Sequence, residues 1–570
     1  MHSKKWQALL RRVSLSQKFI IMGNEQSILK QHGYTLLGED GQRDFRKEVW
    51  VKCNADGKQY IIKPINMNYL NKRVISMEEI KTRIKTLQTV KHPNIVNYKE
   101  TFEDGDTLYV VMEYSKGNLS QTIDRQGKAL FKEYKILDWF AQICMALKYI
   151  HDREILHKDI KPQNIFLTEG GVIRLGGLEN AEVLGGIGRK SVLQASGYRK
   201  PNYESPEILE GHPHDENSDI WSLGCVLYEL CMLEGAYSAA TKNELMIKIN
   251  GSPPRISDHF SHDLCDLGSE LLCMLPTQRP TVSDILGKPF IIQCLLKKFM
   301  MTVDELQVKV NELKEIIAHM ERVHYGTTAG SLAGGVMGAA GGITSIVGLI
   351  LAPFTLGASL IVTGVGIGVA TAGGVTGAAS NITNMVKQSA DRNSIQAILN
   401  ECQEKMDLSV TCLQNISDGI NTLKEARSID SVGLAPSRTK QAAVRAGRGM
   451  AGVGELVRLV RVATIGRVAA QVARTVRVAE AATGVLAGLF VALDIYFIAQ
   501  DSREIHAMRQ GNTESPHGSF TNTSKRSNNR KSDTRKFIEQ MKEAAASLQS
   551  CVNELRVAIP ELPQEDSYDI

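Results

Sequence analysis

In "HKDIKPQN" an aspartate is followed by a lysine two residues later and an asparagine five residues later: Asp159, Lys161 and Asn164. An aspartate can take the proton from an attacking hydroxyl, a lysine beside it can neutralise phosphate oxygens, and an asparagine amide oxygen can ligate Mg²⁺. The set suits phosphoryl transfer from a nucleoside triphosphate, with ATP and Mg²⁺ as the implied cofactors. That chemistry needs further parts. Lys63 closes the strand-like "YIIK" and can reach the phosphates, Glu113 ends the apolar "VVME" where a segment joining two lobes would hold the base, and Gly38 and Gly41 in "LGEDGQRDFRKEV" offer a phosphate-cradling turn. Ten residues past "NIFL" stand Gly177, Leu178 and Glu179, a triplet whose one carboxylate is in its third place.

The elements that must position these side chains read as two lobes. From Tyr34 to about Lys298, short β-rich runs such as "KQYIIKPIN" and "TLYVVMEY" alternate with longer helical patterns, and the helical share rises after Leu130. This is an α+β arrangement, a small mixed lobe followed by a helical one. Residues 1–33 are an N-terminal extension. Val303, Leu306, Val310, Leu313, Ile317 and Met320 recur at spacings of 3, 4, 3, 4 and 3, an a/d seam that predicts a heptad helix over 299–325. Amphipathic and basic helices follow over 387–509, then a polar linker, "QGNTESPHGSFTNTSKRSNNRKSD", over 510–533. A C-terminal heptad helix over 534–560 uses Ile538, Met541, Ala545, Leu548, Val552 and Leu555, and 561–570 is a tail.

Further motifs stand in order: "SPE" with Glu207, "SDIWSLGC" with Asp219 and Gly224, and "QRPT" with Arg279. Together with "KHPNIVNYKETFEDGDTLYVVMEY" and "LDWFAQICMALKYIHDREILHKDIK", they resemble the NIMA-related (NEK) serine/threonine kinases over roughly Tyr34 to Ile292. The resemblance implies a bilobal protein-kinase fold over 34–298 with Asp159 as base, Lys161 and Asn164 beside it, and Lys63 on the phosphates. The departures lie where ATP chemistry happens. Asp40 and Arg43 replace the second and third glycines of the phosphate loop, Arg83 replaces the glutamate that pairs the lysine, with Glu79 one turn earlier, and Gly177 replaces the metal-binding aspartate. Lys158 stands for the usual catalytic-loop arginine. Two readings stay open. One is a pseudokinase used for docking or regulation, in which Asp159, Lys63, Glu207 and Arg279 hold structure. The other is an active or weakly active membrane-tethered serine/threonine kinase that recruits Glu179 or Glu182 to metal.

Between Arg322 and Lys387 lie 64 residues without an Asp, Glu, Lys or Arg. That is about three times the length that crosses a hydrocarbon core once. Pro353 sits near its middle, and Gly330, Gly334, Gly338 and Gly342 recur every fourth residue, a bare strip suited to close helix packing. The expectation is an apolar, membrane-inserting helical hairpin over 326–386; a hairpin buried in a soluble core is the alternative. Arg467, Arg474 and Arg477 share one helical face, fitted either to anionic lipid or to solvent. The run "GVLAGLFVALDIYFIAQ" carries one carboxylate, Asp494, and is marginal as a span. "GLILAPFTLGASLIVTGVGIGVATAGGVTGAAS" and "GLFVALDIYFIAQDSREIH" resemble the apolipoprotein L family over about Met300 to Pro560. That resemblance implies an all-α, lipid-associating, membrane-active module, found in intracellular and secreted forms.

A net charge of +5 spread over 67 basic and 62 acidic residues gives no reason to expect a nucleic-acid partner. Ten cysteines without a C-x-x-C pair imply reduced thiols. The basic N-terminus lacks the apolar core of a signal peptide, so a cytoplasmic, membrane-associated protein is expected, with secretion as a lipoprotein component the alternative. "MGNEQS" has the M-G-x-x-x-S form, which would make Gly23 a myristoylation site if translation begins at Met22. The combined expectation is an apolipoprotein L-like protein carrying a NEK-like pseudokinase. Its expected partners are lipids or an intracellular membrane, together with proteins recognised through the kinase-like surface and the heptad helices. A lipid-binding or lipid-transport protein with an inert kinase fold is the last alternative.

Overall fold

The computed structural model describes residues 27–37, 49–66, 88–105, 107–115, 117–168, 170–178, 181–183, 202–239, 241–251, 253–333, 377–432, 475–479, 481–490, 493 and 522–557. It divides into two compact units. The first comprises 1–294 with 418–454, the second 295–417 with 455–570.

The first unit begins with an antiparallel five-stranded sheet: β1 (Tyr34–Leu36), β2 (Val49–Cys53), β3 (Gln59–Asn66), β4 (Tyr98–Asp104) and β5 (Thr107–Glu113), in the order β1-β2-β3-β5-β4. In β5 the run from Leu108 to Met112 is buried throughout, as a continuous apolar run in an inner strand should be. Lys63 lies on β3 opposite Val110 of β5. The fold starts earlier than Tyr34. Residues 27–31 are helical, and Leu29 is buried with Tyr34, Val51 and Ile62, so the end of the expected extension belongs to the small lobe.

The large lobe is helical. After β6 (Gly117–Asn118) come α1 (Leu119–Gln126), α2 (Glu133–His151), β7 (Ile155–Leu156), β8 (Ile165–Leu167), β9 (Ile173–Leu175) and β10 (Glu182–Val183). Then follow α3 (Pro206–Leu209), α4 (Glu216–Met232), α5 (Lys242–Ile249), α6 (His262–Leu271) and α7 (Val282–Leu286). Helix α4 begins where the Asp215 carboxylate accepts from Ser218 N–H, and it is buried on nearly every side, including Asp219, Trp221 and Leu223. A helix enclosed all round is the centre of its lobe.

The second unit is a helical bundle. Helix α8 runs Pro289–Ala333 without a break, so the boundaries expected at 298/299 and 325/326 fall inside one helix. Helix α9 spans Gly377–Val432 and α10 spans Asn522–Val557; the latter begins inside the expected linker, so 522–533 is helix, and that part of the linker reading is corrected. The Asn, Ser and Thr there are poor helix formers by themselves, but extending a helix already nucleated by a packed seam is inexpensive. All but one of the six seam positions on α8, Val303 to Ile317, are buried, as are Ile538, Met541, Ala545, Leu548, Val552 and Leu555 on α10 and Leu399, Cys402, Met406, Leu413 and Ile416 on α9. Polar pairs give the directions. Asp304, Gln307 and Glu321 of α8 meet Arg556, Gln549 and Lys542 of α10, so these helices are antiparallel. Lys309 of α8 meets Glu401 of α9 while Glu305 meets Lys405, again antiparallel. Such exposed pairs contribute little, and the buried seam supplies the stability.

Helical residues 481–490 bury Val485, Leu486 and Leu489, as does Leu493, and Gln403 of α9 donates to the Thr483 hydroxyl at 3.4 Å. The described part of the run expected to be a marginal span thus has its apolar face covered by protein. Among the described residues no helix is long and apolar enough to cross a membrane. All ten cysteines are free thiols. Gly330 falls near the end of α8, while Gly23, Gly334, Gly338, Gly342, Pro353 and Asp494 lie outside the described residues. In urea unfolding, Leu306→Ala at a fully buried seam position should cost about 2–5 kcal/mol. Val308→Ala, on the exposed face, should stay within about 0.5 kcal/mol.

Candidate active site

The site is built around a turn that one buried carboxylate holds. Asp219 is fully buried at the start of α4, and each of its oxygens accepts two donors. His157 N–H donates to Oδ2 at 2.8 Å and Lys158 N–H to Oδ1 at 2.8 Å. His151 Nε2 and His214 Nε2 complete the set at 3.0 Å each. Burial would raise the pKa of this carboxyl, but His151 and His214 reverse the sign and hold it well below the usual range. With two adjacent amides anchored, Lys158 is kept at φ 67, a left-handed conformation that a lysine rarely adopts.

The turn then presents the catalytic set. Asp159 is buried, and its carboxylate is 2.9 Å from Lys161 Nζ. Asn164, in the 3₁₀ turn Pro162–Asn164, donates from Nδ2 to the main-chain oxygen of Asp159 at 2.7 Å. His157 accepts from Asp159 N–H at Nδ1, 3.2 Å, which leaves the proton on Nε2 to donate to Gly176 O at 2.9 Å. Asp159, Lys161 and Asn164, read from spacing, are thus brought together. The histidines were not singled out from the sequence; "HKD" and "YIH" offered the only signal, since their convergence on Asp219 spans more than sixty residues.

The position of the missing carboxylate is filled differently. Gly177 has φ 83, and a Cβ built there would lie 2.5 Å from Asn164 Nδ2 and 2.6 Å from its Cγ. Aspartate tolerates left-handed backbone better than most residues, so the conflict with Asn164, itself anchored on Asp159, is what excludes it. Leu178, next along, is fully buried. Glu182 lies on β10, paired with Leu156 of β7, and Glu179 is outside the described residues.

At the lobe junction the Glu113 carboxylate accepts from Arg174 Nη1 at 2.6 and 2.7 Å and from Asn97 N–H at 3.0 Å. Its charge is engaged in tying β5 to β9. Lys63 is half-buried on β3. Gly38, Asp40, Gly41, Arg43, Glu79 and Arg83 lie outside the described residues. Below the turn, Arg279 is 1% exposed and forks onto Glu207 at 2.7 and 2.9 Å while donating to Asn217 O and Cys273 O. Burial alone would raise the Glu207 pKa; the Arg279 hydrogen bonds and charge outweigh it and bring it from 4.5 to about 2.

A protein kinase domain family model matches residues 46–291, and an apolipoprotein L model matches 292–515. Mouse serine/threonine-protein kinase Nek1 is 46% identical over 266 residues, covering 46% of this chain and 22% of that protein. Human serine/threonine-protein kinase Nek5 is 39% identical over 270 residues, 47% of this chain and 37% of that protein. Serine/threonine-protein kinase nekl-2 of Caenorhabditis elegans is 33% identical over 255 residues, 43% of this chain and 70% of that protein. The chain therefore spans well under half the length of the first two relatives.

Two outcomes follow from this geometry. Gly177→Asp should lower the melting temperature without restoring Mg²⁺-dependent phosphotransfer, and Asn164→Ala should cost less stability in that background than in the wild-type chain, because there it also vacates the space. Separately, a carboxyl whose folded pKa is depressed contributes stability above its unfolded value and loses it on acidification. Glu207 should therefore stabilise fully above about pH 4.5 and progressively less down to about 2, so Glu207→Gln should flatten the pH dependence of unfolding in that window.

Proposed function

Because this chain belongs through its first half to the NIMA-related serine/threonine kinase family and continues into an apolipoprotein L region, we propose that it is a pseudokinase joined to a lipid-associating helical module. The observation that carries the first part is Gly177. Two carboxamide or carboxylate ligands normally hold the metal on the triphosphate; here the described residues supply the neutral Asn164, and the space for an aspartate at 177 is taken. Losing that charge from a transition state held mainly by electrostatics removes several kcal/mol. The residues present do not fit a Mg²⁺-bridged ATP. The kinase fold then serves docking or regulation, through the large-lobe surface and the outward faces of the bundle helices.

The support for the second part is the apolipoprotein L match together with the charge-free stretch between Arg322 and Lys387. On this reading, lipid at an intracellular membrane is the partner, residues 326–386 make the contact, and the protein is cytoplasmic and membrane-associated. Myristoylation at Gly23 would reinforce the attachment, since one acyl chain binds only marginally by itself. A weakly active kinase is the second reading. It is favoured by the intact grouping of Asp159, Lys161 and Asn164.

The full-length protein tested with Mg·ATP decides between them. Thermal stabilisation by ATP should not depend on Mg²⁺, and phosphotransfer to generic protein substrates should equal that of Asp159→Ala. Robust transfer that Asp159→Ala abolishes would overturn the pseudokinase reading. Co-sedimentation with vesicles, tested with and without residues 326–386, checks the membrane contact; equal binding by both forms sinks it.

A further inference from the structure

The first unit contains a piece of chain that the kinase family does not supply. The kinase match ends at 291, yet residues 418–432, inside the apolipoprotein L match, belong to the same compact unit as the large lobe. Asp418 of α9 lies 3.3 Å from Lys148 of α2, and Lys148 also pairs with Asp152 at 2.6 Å. Burial works against the Lys148 charge, but the carboxylates of Asp152 and Asp418 more than compensate and raise its pKa. The next residue of α9 is Gly419. A Cβ built on it would lie 2.9 Å from Leu286 O, 3.3 Å from Ile292 Cδ1 and 3.4 Å from Gly287 Cα. One turn further, Thr422 Cγ2 lies 3.6 Å from the corresponding position on Gly287.

Glycine inside a helix is unfavourable, because the unfolded chain gives up more freedom there than at any other residue. Gly419 sits deep within the 56-residue helix α9, far from either cap. Its place is explained by the close approach: the helix backbone rests directly on the carbonyl that ends α7. An exposed ion pair such as Asp418–Lys148 adds little, so the glycine contact is the principal element.

We propose that residues 418–422 form a latch that closes on the large lobe at Lys148, Leu286 and Gly287, so that the order of the kinase-like lobe depends on the apolipoprotein L half of the same chain. The latch gives the second half a direct mechanical hold on the first. Whatever draws α9 away loosens α2 and α7 without any change at Asp159 or Gly177. This inference stands independently of lipid binding and of the absence of catalysis.

The sign of one substitution tests it. In an open helical position, glycine to alanine stabilises the helix and slows its amide exchange about fivefold. Gly484, with nothing within 4 Å of its built Cβ, should behave that way in the full-length protein. Gly419→Ala should do the opposite. Hydrogen exchange followed by mass spectrometry should quicken severalfold in peptides covering 143–152 and 282–292, and Gly419→Leu should quicken it further in the same peptides. If Gly419→Ala slows exchange in its own helix as Gly484→Ala does, or if Gly419→Leu leaves both large-lobe peptides at wild-type rates, the latch is refuted.

Discussion

A carboxylate taken wholly out of water loses several kcal/mol of hydration unless donors replace it. Asp219 is such a group, and the first unit is organised around its replacement donors. The amides of His157 and Lys158 come from the catalytic turn, His151 from the end of α2, and His214 from the loop entering α4. Two stretches far apart in sequence, 151–158 and 214–219, are thereby fixed to one point. Hydrogen bonds to a charged group contribute about 1.5–3 kcal/mol each, so losing any one leaves a costly remainder. From this point order passes outward: His157 reaches Gly176 O, Gly176 N–H reaches Asn164 O, and Asn164 reaches Asp159 O.

A buried ion pair anchors the base of the same lobe. Arg279 is enclosed by Glu207, the main-chain oxygens of Cys273, Asn217 and Met274, and the Trp221 ring, whose centroid is 5.0 Å from its guanidinium carbon. A guanidinium presents five donors in a plane, and here several are matched, which is the condition for a buried pair to be tolerated. The bonds of the two anchors run through His151, His157, Lys158, His214, Glu207 and Arg279, not through residue 177. The lobe can therefore keep its kinase geometry without a carboxylate there.

Motifs whose residues act within a few positions of one another were readable from the sequence. Asp159, Lys161 and Asn164 belong to one turn, and the heptad seams from Val303 to Ile317 and from Ile538 to Leu555 are buried with the expected period. Features that depend on distant convergence were not. No periodicity reveals that His151 and His214 share Asp219, or that the Glu113 carboxylate is committed to Arg174. Element limits were the weakest part, because composition changes where helices do not: α8 crosses two expected boundaries, and α10 starts within a polar stretch. Leu29 shows the converse, a short segment drawn into the small-lobe core by its own side chain and the partly buried Ile28.

The pattern of what is kept and what is lost follows from how many roles each position has. Asp219, His157, Asn164, Glu207 and Arg279 each satisfy buried polar groups, so replacing any of them would strand a partner. Asp159 holds Lys161 with its carboxylate and Asn164 with its main chain, which gives it structural work independent of proton transfer. Residue 177 is different. At φ 83 glycine is the least strained residue there is, and the space a side chain would enter is taken by the Asn164 amide. The side chain a kinase needs at this position serves the metal and little else, so it is the one element of the set that the fold can lose without cost to its own stability.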